Sequence, residues 1–178
     1  MVPALSMPRT KVSSMFFFAK EPIERPVFET QMGTLGITPV EPPLVIPPDT
    51  VMTFHTKMRI GNSISLLTLN PHMHLIGTSF LAYAVGPENG TIPLIKIPKW
   101  DFRWQYFYTF PKMMVIPAGS IIYTEGTFDN TQNNINNRYS PSRKVREPEG
   151  DMKTTDEMFQ FIVNYLPYQP GDDNISLE

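Results

Sequence analysis

The stretch that decides the fold is Ser63-Ile64-Ser65-Leu66-Leu67-Thr68-Leu69-Asn70-Pro71-His72-Met73-His74-Leu75-Ile76-Gly77. Its first half is rich in leucine, isoleucine, serine and threonine, and an Asn-Pro pair follows, which is typical of a β-strand that approaches a turn. Side chains at positions i and i+2 of a strand point to the same face, so His72 and His74 lie side by side. The chain has three histidines, and this strand places two of them where they can share a metal ion.

Short segments of similar character recur along the chain between Pro, Gly and Asn residues, and helical periodicity is scarce. We predict strands near residues 12–19, 51–59, 63–69, 72–85, 91–97, 100–110, 112–116, 120–128 and 158–166. Many short strands with regular turn signals favour an all-β antiparallel sandwich of jelly-roll type. We expect this domain to cover residues 30–168, after a lead-in over 1–29 that belongs to a preceding domain and before a tail over 169–178.

The segment from Trp100 to Phe110 is the clearest strand candidate. Its even-numbered residues are all aromatic, namely Trp100, Phe102, Trp104, Tyr106, Tyr108 and Phe110. A period of two places the six rings on one face of a strand. We interpret this face as a wall of the sandwich core, because aromatic side chains dominate core burial. The alternative is a stacking platform for a sugar or another flat ligand, which requires exposed rings.

Composition excludes several classes of function. The chain of 178 residues has a net charge of −2 and no basic block, so we expect no nucleic-acid partner. It has no cysteine, which excludes disulfides, thiolate metal sites and thiol nucleophiles. No run reaches the roughly 20 apolar residues that cross a membrane, and the apolar run over 15–18 is too short for the core of a signal peptide.

The histidine pair needs at least one further ligand to hold a transition metal well. His55 would complete a three-histidine site if its strand lay beside the pair, although a lone strand histidine is more often packed and hydrogen-bonded. Methionine is the other candidate, because its soft thioether pairs naturally with Cu(I). Most of the 11 methionines must be core residues, and composition alone does not choose among Met73, Met152 and Met158.

Three motifs together resemble the copper type II, ascorbate-dependent monooxygenase family: His72-Met73-His74, Phe128-Asp129-Asn130 and Thr155-Asp156-Glu157-Met158. That family includes peptidylglycine α-hydroxylating monooxygenase and dopamine β-monooxygenase. The resemblance is to its C-terminal domain and covers residues 30–168. It extends to bacterial members through the Asp-Asn-Thr stretch that begins at Asp129.

The resemblance implies a copper ion bound by His72, His74 and Met158, which in this family is the oxygen-binding centre. It also implies O₂ and an ascorbate-type reductant as co-substrates, hydroxylation of a C–H bond, and an extracytoplasmic location, either periplasmic or secreted. In the whole enzyme, a second copper on an N-terminal domain supplies an electron. We assign no catalytic residue, and we expect Asp156 and Glu157 to support the turn and the ligands.

Departures from the family limit what this chain does alone. The second copper needs an adjacent His-His pair that the sequence lacks, so we expect an N-terminal partner domain to carry it and the isolated chain to be inactive. The family's peptide-anchoring positions hold Asn70 and Ile162 here, so a peptide carboxylate is not the expected substrate, and the small-molecule substrate stays open. The alternative is a non-catalytic copper-binding or carbohydrate-binding sandwich module.

Overall fold

A computed structural model describes residues 15–18 and 20–178 of the protein. Within that part of the chain, the only helical element is a 3₁₀ turn over Asp172–Asn174, and no helix is long and apolar enough to span a membrane. The strands are β1 (Phe28–Gly33), β2 (Val45–Ile46), β3 (Val51–Arg59), β4 (Ile64–Met73), β5 (Gly77–Val85), β6 (Thr91–Ile97), β7 (Tyr108–Ile116), β8 (Ile121–Asp129), β9 (Val145–Arg146) and β10 (Phe159–Pro167).

Eight long strands form two antiparallel sheets that pack face to face. The first sheet has the order β1-β10-β4-β7, and the second has the order β3-β8-β5-β6. Rings from both sheets meet between them: the centroid of Phe80 on β5 lies 5.5 Å from that of Phe159 and 5.7 Å from that of Phe161, both on β10. The predicted all-β antiparallel sandwich is confirmed. The finer jelly-roll assignment stays a prediction.

Alternation of side chains explains why these segments form strands. Along β8, every second residue is buried, from Ile122 to Phe128, and the residues between them are partly exposed. This period of two is the pattern of a strand with one face in the core. Burial of a large apolar side chain contributes about 1.5–3 kcal/mol to folding, so the alternation fixes which face turns inward.

The region around the histidine pair departs from the predicted strand over 72–85. The chain turns after Met73, and β5 starts only at Gly77, so the prediction of one continuous strand is wrong. The backbone N–H groups of His74 and Ile76 both donate to the carboxylate of Glu157, at 2.9 and 2.8 Å, instead of to a neighbouring strand. A side-chain acceptor therefore ends the ladder at this point.

The predicted strand over 100–110 is also wrong. Residues 101–107 form a loop, and only the last three residues of the predicted strand, 108–110, belong to β7. The Asp101 carboxylate accepts the backbone N–H of Arg103 at 3.0 Å and its guanidinium at 2.7 Å, and the N–H of Trp104 donates to the Asp101 carbonyl at 2.9 Å. These local bonds give the backbone an alternative to a sheet ladder. Trp100 is buried, but Trp104 and Tyr106 are exposed, so the alternating rings are not a core wall.

The segment before residue 34 differs from the strands predicted there. β1 was not expected as a strand, and it pairs with β10 at the edge of the first sheet. Of the predicted strand over 12–19, residues 12–14 and 19 lie outside the described residues, and 15–18 have no regular secondary structure. Arg25 forms an ion pair with Asp172 at 2.8 Å, which links the segment before β1 to the segment after β10.

Asp172 predicts an acid-dependent loss of stability. Its side chain is 2% exposed and also accepts a hydrogen bond from Ser65 at 2.6 Å. The bond from Arg25 holds the pKa of Asp172 well below its usual range. A depressed pKa stabilises the fold above the unfolded-state pKa of about 4, and this contribution disappears as the pH falls toward the folded-state pKa. The difference in unfolding free energy between wild type and Asp172→Asn should therefore be largest near neutral pH and shrink below about pH 4. Urea unfolding at several pH values measures it, and a difference independent of pH would contradict the assignment.

Candidate metal centre

The two histidines lie on the outer face of the first sheet: His72 is in β4, and His74 follows directly after its last residue. Met73 between them is fully buried and packs toward the second sheet, where Gly126 of β8 leaves room for its sulfur. His72 and His74 therefore point away from the core, as the strand period predicts. His72 is half-buried and His74 is 3% exposed.

His74 is held in a defined tautomer by a backbone carbonyl. Its Nδ1 lies 2.8 Å from the carbonyl oxygen of Asp156. A carbonyl only accepts hydrogen bonds, so Nδ1 carries the proton and Nε2 of the neutral ring carries the lone pair. A ring nitrogen fixed in this way is the usual arrangement behind a histidine that binds a metal.

His72 has the same arrangement through a side chain. Its Nδ1 lies 2.6 Å from Oε1 of Gln105, and Nε2 of that glutamine donates to the carbonyl of Phe102 at 2.8 Å. Because the second bond fixes which way the amide faces, Oε1 accepts from Nδ1–H, and Nε2 of His72 is free. Burial lowers the pKa of His72 and favours the neutral ring that a metal requires.

The separation of the two rings fits one shared ion. Their centroids are 5.1 Å apart, and the planes are nearly perpendicular at 87°. Because a metal–nitrogen bond is about 2.0–2.1 Å long, two imidazoles at this separation are close enough to hold one ion between them.

Met158 precedes β10, next to the strand that carries the pair. Phe159 pairs with Met73 and Gln160 pairs with His72, and the paired register ends there. Met158 therefore immediately precedes the first paired residue of β10, at the end where His74 leaves β4. Met158 is 2% exposed but does not belong to the contiguous core between the sheets. Its role as the third ligand stays a prediction.

Glu157 supports the turn that carries His74. It is 1% exposed, and its two carboxylate oxygens accept the N–H groups of His74 and Ile76. Burial raises the pKa of Glu157 to about 8, against the opposite effect of these backbone donors. These bonds and the Asp156 carbonyl hold the turn, as expected of Asp156 and Glu157, and their support of metal ligands stays a prediction.

Removing the Glu157 carboxylate should destabilise the protein markedly. In Glu157→Ala, two buried N–H groups lose their acceptor, and we expect a loss of about 2–4 kcal/mol in the free energy of unfolding. The matched control is Glu149→Ala, because Glu149 is 68% exposed and its pair with Arg146 lies at the surface. That control should stay within about 1 kcal/mol of wild type. Equal urea midpoints for the two variants would contradict this role for Glu157.

His55 lies far from the pair in the fold. It is on β3, which pairs with β8 in the second sheet and not with β4. Its neighbours Phe54 and Thr56 are buried while His55 is exposed, so it points outward from the other side of the sandwich. The alternative of a three-histidine site is therefore wrong.

The sequence reasoning missed Gln105 and the loop that carries it. Phe102 of the same loop contacts His74 edge to face, with ring centroids 5.6 Å apart, and Asn70 donates to the carbonyl of Tyr106 at 2.8 Å. A glutamine 33 residues after His72 carries no signal of its own in the sequence. Asp101, whose carboxylate accepts the backbone N–H of Arg103 two residues later, is the one residue of the loop that could have indicated a turn.

Comparisons with known proteins identify no relative: no family model matches the sequence, and no curated protein matches it. Within residues 15–18 and 20–178, no three His, Cys, Asp or Glu side chains form a group that could hold a metal ion. The predicted ligand set has two histidines and one thioether, and methionine is not among those four residue types. The family assignment stays a prediction carried by the motifs.

Proposed function

We propose that the protein is the copper-binding catalytic domain of a copper-dependent monooxygenase, with His72, His74 and Met158 as the ligands. The observation that carries the proposal is the pair of imidazoles 5.1 Å apart, each with Nδ1 engaged in a hydrogen bond. Both Nε2 atoms are thereby left as ligands. The soft thioether of methionine favours Cu(I) over zinc or iron.

The chemistry of the proposed reaction is hydroxylation of a C–H bond. The substrate C–H bond, O₂, two electrons and two protons give the C–OH product and water, and an ascorbate-type reductant supplies the electrons. A copper ion held by His72, His74 and Met158 would supply one-electron redox chemistry. Gln105 and the Asp156 carbonyl orient the two rings, and Phe102 packs edge to face against His74.

An anaerobic Cu(I) titration against a chromophoric chelator tests the ligand set. We expect the wild-type chain to bind one tight equivalent and the double variant with His72→Ala and His74→Ala to bind none. The unfolding midpoint of the double variant shows whether it is folded. A wild-type chain that does not compete for Cu(I), or a folded double variant that binds as well as wild type, would refute the proposal.

A non-catalytic copper-binding module is the second candidate, because the sequence has one histidine outside the pair and no adjacent His-His motif for a second copper. The two candidates differ in turnover. The copper-loaded chain is mixed with ascorbate, O₂ and small C–H substrates, with and without a histidine-rich partner domain of the monooxygenase type. Hydroxylated product that appears only with the partner supports the catalytic proposal, whereas no product under either condition favours the binding module.

A further inference from the structure

The loop over residues 101–107, here called the aromatic loop, presents three exposed rings. Trp104 is 60% exposed, and Tyr106 and Phe107 are each 55% exposed. Trp104 and Tyr106 stack on each other with centroids 4.9 Å apart and planes at 23°. Exposed apolar side chains that cluster in this way mark an interaction site more often than scattered ones do.

Hydrogen bonds hold the aromatic loop in one conformation. Asp101 and Arg103 form a bidentate pair with distances of 3.0 and 2.7 Å, and the amide of Gln105 donates to the carbonyl of Phe102 at 2.8 Å. The bond from Arg103 lowers the pKa of Asp101 to about 2, so the pair stays ionised at neutral pH. These bonds brace the part of the loop that carries Trp104, and bracing that exists before a ligand binds reduces the entropy cost of binding.

The loop lies directly beside the histidine pair. Gln105, between the two stacked rings in sequence, contacts His72, and Phe102 contacts His74. A ligand held on Trp104 and Tyr106 is thus next to the proposed copper ligands.

A cleft with a mixed polar and apolar lining adjoins the first residues of the aromatic loop. Its volume is about 750 Å³, within the range of small-ligand sites, and Asp101, Phe102 and Arg103 form one of its walls. The remaining lining residues are Leu75, Ile135, Asn136, Arg138, Thr154 and Thr155. Amide, guanidinium, hydroxyl and carboxylate groups therefore offer both donors and acceptors without a large excess of charge. This mixture suits a neutral ligand with many hydroxyl groups.

We propose that the aromatic loop and the adjoining cleft bind a glycan chain, with a pyranose ring stacked on the Trp104 and Tyr106 pair. The apolar C–H face of a sugar matches an aromatic ring, and its hydroxyls match the mixed donors and acceptors of the cleft. This inference deepens the proposed function, since it names an oligosaccharide or polysaccharide as the substrate class of the copper site. Binding itself requires no copper.

Titration of the metal-free chain, with a chelator present, tests the inference. The probes are cellohexaose, chitohexaose and maltohexaose, followed by calorimetry and by tryptophan fluorescence. Trp100 is 6% exposed, so a change in emission reports on Trp104. We expect saturable binding of at least one hexasaccharide, weakened about tenfold or more in Trp104→Ala and in Tyr106→Ala and largely kept in Trp104→Phe.

The matched control is Tyr83→Ala. Tyr83 stacks on Tyr123 with centroids 5.4 Å apart, but this pair lies on the second sheet. The control should bind like wild type.

Absence of binding for all three hexasaccharides up to about 1 mM, or equal binding in Trp104→Ala, would overturn the inference. A planar aromatic compound that binds the loop when no glycan does would overturn it too. Because the assay contains no copper, a negative result leaves the copper titration unaffected, and a failed copper titration leaves a positive glycan result standing.

Discussion

Replacing His74 with alanine should weaken Cu(I) binding by more than about a hundredfold, because loss of a residue that only supports a ligand already costs 10–100-fold. His74 is the more constrained of the two rings: its Nδ1 is fixed by the Asp156 carbonyl, and its backbone N–H is fixed by Glu157. Its removal takes away one of two nitrogen ligands and leaves the turn intact. Competition with a chelator of known Cu(I) affinity measures the change.

Two further variants give the lower and the intermediate effect on Cu(I) affinity with which the loss in His74→Ala is compared. His55→Ala is the matched control, since His55 is exposed on the second sheet, and its Cu(I) affinity should equal that of wild type. Gln105→Ala removes the acceptor of His72 Nδ1–H, together with the amide's bond to the Phe102 carbonyl, but keeps both nitrogen ligands, so we expect an intermediate loss of about 10–100-fold. An affinity of His74→Ala equal to that of His55→Ala would show that copper binds elsewhere.

Replacing Gly33 with alanine should be the most destabilising substitution at the backbone of this fold. A Cβ at Gly33 would lie 2.0 Å from the carbonyl oxygen of Phe159, and the glycine has a φ of +81°. The neighbouring N–H of Thr34 donates to that same carbonyl at 2.9 Å, so β1 and the start of β10 cannot separate without losing this bond. We expect a loss of more than about 4 kcal/mol, a large part of the stability of a domain of this size.

The matched control for Gly33 is Gly61→Ala. No atom lies within 4 Å of a Cβ at Gly61, and its φ is not in the left-handed region. That substitution should change the unfolding free energy by about 1 kcal/mol or less. Urea unfolding of both variants gives the comparison, and a Gly33→Ala protein as stable as Gly61→Ala would show that β1 does not pack against β10 in this way.

The sequence predicted those parts of the fold that depend on local alternation. The strand over 91–97 matches β6, and the strand over 51–59 matches β3, because the turn residues and the period of two agree there. The prediction of a strand over 100–110 was wrong, although aromatic residues alternate through the whole segment. Hydrogen bonds within the loop, centred on Asp101, outweigh a pattern of rings that no partner strand covers.

In the candidate site, too, the contacts that depend on local spacing were predictable from the sequence, and those that depend on long-range pairing were not. The i, i+2 spacing of His72 and His74 predicts that they are neighbours, although His74 lies past the end of β4 and is held by Glu157 and Asp156. Gln105 meets His72 only because the aromatic loop contacts β4. Likewise, the separation of His55 from the pair depends on which sheet β3 joins, and that depends on long-range pairing. The choice of Met158 came from the family resemblance and still depends on it.

Copper K-edge X-ray absorption of the Cu(I)-loaded chain tests the central claim most directly. We expect two imidazole nitrogen scatterers and one sulfur scatterer in wild type, and loss of the sulfur with both nitrogens retained in Met158→Leu. Met152→Leu is the control, because Met152 is 53% exposed and outside the proposed ligand set. A wild-type spectrum without sulfur, or a Met158→Leu spectrum identical to wild type, would contradict the copper site proposed here.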